Sequence, residues 1–237
     1  MTMNDILVSA PAVLDELTRE LVRRGDEEYR SDQESQTSAC LLLAIRSASL
    51  LCGIAKLLTP QTRDSVKVLL RGFLESRDLL MTYRFDDQGI RNKISHWFEG
   101  SLGPSWKAEH KRCEEFMAKL GHGGSSFATK WSQITTLAHP TRFAAQNSVA
   151  CVTLWAAKPA RVDDFEAMME PEIADFLTSI ATLIVIATYD FPGLISLRCD
   201  LARLPNVDPF KQNVFDVAVP ILDKNKDGDL PPTSYRS

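Results

Sequence analysis

The stretch TPQTRDSVKVLLRGFLESRDLLMTYRF, from Thr59 to Phe85, constrains the fold more than any other part of the chain. Thr59-Pro60 supplies a cap and a first-turn proline, and helical spacing holds from there to the end of the stretch. At about 100° per residue, Val66, Leu69, Leu70, Phe73, Leu80 and Met81 share one side, and Arg77 and Arg84 fall inside that apolar stripe. Arg71, Glu75, Asp78 and Thr82 line the opposite side. Such a helix needs neighbours that satisfy its misplaced charges, so it belongs at the centre of a helical assembly. Arg71 and Glu75 then have two readings. As an exposed i,i+4 pair they contribute a few tenths of a kcal/mol; buried, they form a desolvated polar centre that must be fully satisfied.

The remainder of the chain repeats the helical period, and an alternating strand pattern persists nowhere. Pro11 opens a first amphipathic helix through Val13, Leu14, Leu17 and Leu21 that stops at Gly25, and Ser31-x-x-Glu34 has the spacing of a capping box for the next. TSACLLLAIRSASLLCGIAKLL is apolar nearly all round, with Arg46 snorkelling or paired to a core carboxylate. Helices are also expected over Asp86–Gly100, Trp106–Leu120 and Phe127–Leu137, and from Pro140 to Lys158. His139 lies at the junction before Pro140, which disfavours helical backbone at the preceding residue. Pro171 interrupts a segment capped at Asp163 or Asp164, and EIADFLTSIATLIVIATY after it reads as the most buried helix. From Pro205 onward prolines recur without periodicity, so residues 205–237 are expected as an extended tail packing through Phe210, Phe215 and Ile221.

With 237 residues, 44% of them hydrophobic, the chain can bury a full core without metal or disulfide staples. A net charge of −4 excludes a positive field over the whole protein of the kind that gathers nucleic acid. Cys40, Cys52, Cys113, Cys151 and Cys199 lack paired spacing and suit a reducing compartment as small buried hydrophobes. The N-terminus has no basic region before its apolar residues, and the longest apolar run, Phe176–Tyr189, falls short of the ~20 residues a bilayer span needs. The expected location is cytoplasmic, with no membrane partner.

Three groups of residues carry candidate chemistry. Arg91-Asn92-Lys93-Ile94-Ser95-His96 resembles the R-N-x-x-x-H motif of the HEPN superfamily, helical bundles that include metal-independent ribonucleases. The resemblance implies Arg91 on the scissile phosphate, His96 in proton transfer and RNA as the substrate of a two-protomer site. Arginine and histidine suit that chemistry at neutral pH, although positions 91 and 96 of a regular helix stand about 140° apart.

The second group joins Arg71-x-x-x-Glu75 to Leu137-x-His139-Pro140. Over residues 38–157 this pattern is similar to a family of bacterial helical proteins of unassigned activity. The resemblance implies a pocket at Arg71, Glu75 and His139. The three would form a histidine–carboxylate–arginine network in the bundle centre, either a site or a polar network that fixes helix register.

The third group, Asp223-x-Asn225-x-Asp227-Gly228-Asp229, matches the opening of a calcium loop, but Ser234 stands where a bidentate glutamate should close it. The four histidines have no zinc-site spacing, so neither a metal nor a cofactor is expected.

The expected fold is therefore all-α, an antiparallel bundle of about seven to nine helices over residues 1–204 with a proline-rich tail. Its expected work is interaction or small-ligand binding at a polar pocket around Arg71, Glu75 and His139, with the Arg91/His96 ribonuclease as the alternative. A homodimer is the expected assembly.

Overall fold

The computed structural model describes residues 2–59, 62–100, 106–119 and 162–227. Among them are seven α-helices and one short 3-10 turn. The helices are α1 (Met3–Ser31), α2 (Gln36–Leu57), α3 (Arg63–Tyr83), α4 (Gln88–Phe98), α5 (Trp106–Lys119), α6 (Val162–Thr188) and α7 (Val207–Asp227), and the turn is Leu201–Arg203. The all-α expectation holds. α2 packs on α1, α3 and α6, α7 closes over α6 and α1, and α5 lies on α3.

Local sequence sets the helix ends. Thr2 caps α1 by a reciprocal box with Asp5, and Ser35 caps α2 by accepting from the Ser38 N–H at 2.9 Å. Asp87 caps α4 through the Gly89 N–H. Gly100 ends α4 with a φ of 69°, a left-handed conformation that costs glycine little.

Several boundaries differ from the sequence reading. α1 neither starts at Pro11 nor stops at Gly25; it runs through both. Ala10, Val13 and Leu14 around the proline are fully buried, and their burial outweighs the hydrogen bond that proline cannot make. Gly25 is a contact point, since a Cβ there would lie 3.0 Å from Ile45 Cδ1. The cap of α2 is Ser35 and not Ser31. Pro171 lies inside α6 without ending it.

The largest correction concerns the expected tail. Residues 207–227 form α7, with Val207, Phe210, Val214 and Ala218 buried at helical spacing, while Phe215 is 45% exposed. Pro209 stands in the first turn, where its missing N–H costs nothing, and the stripe continues past Pro220. The calcium-like segment lies partly in the last turn of α7, which is helical to Asp227; Gly228 onward falls outside the described residues.

α2 and the Met169–Thr188 part of α6 are long and apolar enough to cross a membrane by length and composition. In the fold, both contribute to the core, α2 through Leu41, Leu51 and Ile54 and α6 through Phe176, Leu177 and Ile180. Arg46 of α2 is exposed and donates from Nε to Ser76 Oγ at 3.2 Å, and among the described residues no core carboxylate holds it.

Candidate functional site at the α3–α5 contact

The two arginines in the apolar stripe of α3 are both buried, and each is satisfied differently. Arg84 donates to main-chain oxygens, from Nε to Ile195 at 2.7 Å, from Nη1 to Ile186 at 2.6 Å and from Nη2 to Tyr189 at 3.2 Å. The last two carbonyls end α6, where a helix concentrates its partial negative charge. The Ile195 N–H returns to the Arg84 carbonyl at 2.7 Å, so residues 189–195 are clipped onto the end of α3. Arg77 instead grips its neighbour Asp78, with Nε at 2.9 Å and Nη2 at 2.5 Å from Oδ1.

On the opposite face the polar row changes character along its length. Arg71 Nε lies 3.1 Å from Glu75 Oε1, and these side chains are 28% and 37% exposed. One turn further on, Asp78 and Thr82 are completely buried because α5 covers them. The Thr82 hydroxyl meets the Glu109 carbonyl at 3.5 Å, and Asp78 Oδ2 meets His110 Nδ1 at 2.6 Å. The Cys113 thiol also reaches Asp78, so α5 runs antiparallel to α3. His110 Nε2 is 3.4 Å from Glu114 Oε1 on its own helix.

Asp78 is therefore a buried carboxylate ringed by a guanidinium, an imidazole and a thiol. Burial pushes its carboxyl up, but Arg77 and His110 outweigh burial and hold it below the usual carboxylate range. The hydrogen bond to Asp78 raises the His110 imidazole above its ordinary value, against the effect of burial. Burial, reinforced by the Asp78 charge, pushes the Cys113 thiol up to about 12, which removes it as a nucleophile at neutral pH.

A second buried carboxylate adjoins the first. Glu109 is almost fully covered and takes Lys93 Nζ of α4 at 2.7 Å on Oε1. Its Oε2 and the phenol oxygen of Tyr83 are buried with no hydrogen-bond partner among the described residues. Burial, with Glu109 nearby, pushes the Tyr83 phenol up to about 12.

Arg71 and Glu75 are in contact, whereas His139 lies outside the described residues. Arg91 is exposed on α4, and His96, 68% exposed, has Nδ1 at 3.3 Å from Glu99 Oε2. His96 is not packed beneath Trp97, whose indole instead meets the Tyr83 ring edge-on at 6.2 Å. No cluster of three metal-ligating side chains occurs among the described residues.

Sequence reasoning missed Asp78 and His110 as partners. Asp78 stood in the polar row, three residues beyond Glu75, and His110 precedes Glu114 by one helical turn, but nothing in the sequence pairs one helix with the other. Comparison with protein-family models, with curated proteins and with solved structures returned no match.

Proposed function

We infer that this chain acts by binding, taking a small polar ligand or a polar side chain of a protein partner along the polar row of α3. Arg71 and Glu75 form the accessible end, Asp78 extends the row beneath α5, and His110 of α5 meets it there, with the half-exposed Glu114 one turn further along α5. The observation that supports this reading is the gradient along one helix face, from the half-exposed Arg71–Glu75 pair to the sealed Asp78–His110 pair. A row that is polar throughout and closed only at one end offers hydrogen-bonding groups to a ligand while its own charges stay compensated.

The test is titration of the full-length protein with amino acids, polyamines and nucleotides, following the Arg71 Nε and His110 imidazole resonances. A binding member of the panel shifts both signals in the wild type and loses affinity in Glu75→Gln. A panel that leaves both signals unmoved counts against the reading. The proposed location is the cytoplasm, and the proposed homodimer is checked by sedimentation equilibrium.

A second reading is the metal-independent ribonuclease with Arg91 and His96. Exposure of both side chains on α4 favours it, because a scissile phosphate could reach them. RNA degradation without metal by the wild type, abolished in His96→Ala, is its expected result; wild-type protein that leaves RNA intact removes it.

A further inference from the structure

α5 is attached to the bundle differently from the other helices. Half of its sequence, WKAEHKRCEEFMAK, is Lys, Arg or Glu, and among its described side chains only Cys113 enters the core, with Phe116 half-buried against Phe85 at 5.0 Å between ring centres. Among the described side chains of α5, polar contacts do most of the docking. His110 meets Asp78, Glu109 takes Lys93, and Arg112 Nη2 lies 3.6 Å from Asp87 Oδ2 with its guanidinium 5.7 Å from the centre of the Phe85 ring. Buried ion pairs return little net free energy after desolvation, so a helix docked this way belongs to the low-stability part of a fold.

Of the groups that dock α5, only the imidazole ordinarily changes charge near neutral pH. Among the described residues, the charged and titratable groups around it are Arg77 and Asp78 on α3 and Cys113 and Glu114 on α5, with Lys93 of α4 one residue away on Glu109. A charged His110 is attracted by Asp78 across the helices and by Glu114 within its own, and these outweigh the repulsion from Arg77 and the cost of burial. A neutral His110 keeps at most the hydrogen bond from Nδ1–H to Asp78.

We propose that α5 is a proton-controlled latch over the polar row of α3: protonated His110 holds it closed on Asp78, and loss of that proton lets it lift and expose Asp78 and Thr82. This rests on the polar row being the binding site. Ligand access to the inner half of the row therefore increases as pH rises through the titration of His110.

The experiment is hydrogen exchange on the full-length chain between about pH 5.5 and about pH 8.5, expressed as protection factors, with the His110 imidazole followed by NMR in the same samples. Protection of amides in α5 is expected to fall by up to about ten-fold per pH unit through the His110 titration, for a single linked proton, while α2 stays constant. In His110→Gln the α5 profile is expected to be flat. Protection that is flat in the wild type while His110 titrates, or that falls equally in His110→Gln, overturns the latch.

Should His110→Gln fail to fold, Glu114→Gln decides. It removes a half-exposed charge that favours the protonated ring, so the α5 transition must move to lower pH together with the imidazole, and a transition that stays in place overturns the proposal. The measurement uses no ligand, so its failure is distinct from failure of the binding assay.

Discussion

His110 Nδ1 and Asp78 Oδ2 are 2.6 Å apart across the α3–α5 contact, while the other oxygen of Asp78 is held by Arg77. Each oxygen of this carboxylate therefore has a protein partner. Removing it leaves a guanidinium and an imidazole facing each other in a buried space.

Asp78→Ala is accordingly expected to cost about 3–5 kcal/mol, the range for breaking a buried pair by deleting one partner. Urea unfolding of the two proteins at neutral pH measures it. A cost below about 1 kcal/mol would place Asp78 among ordinary exposed ion pairs.

The pH dependence follows from two shifts of opposite direction. His110 is raised above 6.5 in the folded state, so its contribution is fully present below that value and lost as pH climbs through the folded value. Asp78 is lowered below 3.8, so its contribution is present above that value and lost as pH falls through the depressed one. Stability from this pair therefore peaks in the acidic range between the two. Urea midpoints collected across pH should show the alkaline decline in wild type and a shallower one in His110→Gln.

Arg84→Met keeps much of the side-chain volume and leaves the Ile186, Tyr189 and Ile195 carbonyls without their donor. At about 1–3 kcal/mol for a buried group left unpaired, with the Ile195 and Tyr189 contacts only part-buried, the loss should be about 1–3 kcal/mol. Hydrogen exchange should show it first over residues 186–196, where the clip is made.

Glu75→Ala is expected to change stability by less than about 0.5 kcal/mol, because its partner Arg71 and Glu75 itself are both part-exposed at i,i+4 spacing. The variant therefore separates binding from folding. A large destabilisation would mean that the accessible end of the row is structural.

Gly25→Ala tests the α1–α2 approach. Alanine gains helix propensity of up to about 1 kcal/mol, set against a 3.0 Å contact with the movable end of Ile45. The half-buried Ile45 side chain can yield, so thermal unfolding should show a net gain. Gly25→Leu, which cannot be absorbed in the same way, should destabilise.

Periodicity made the centre of this fold legible. The stripe on α3 marked Arg77 and Arg84 as cations in apolar company, and both are buried. Proline was the main source of error: Pro11, Pro171 and Pro220 all lie inside helices, because each is flanked by a stripe whose burial exceeds the local penalty. The expected network of histidine, carboxylate and arginine has a counterpart at Arg77, Asp78 and His110, on the same helix but with a different histidine. Such pairing depends on how α5 lies along α3, and one-dimensional spacing carries no record of that.

The Arg84 clip also bears on how the chain is made. Its three acceptors lie 102 to 111 residues downstream in sequence. During synthesis at about 5–20 residues per second, α3 leaves the ribosome many seconds before those carbonyls exist. Until they emerge, Arg84 is a cation at the end of a core helix without its eventual acceptors, and burying it would be costly. The end of α3 can therefore be buried without that cost only once Ile195 has emerged.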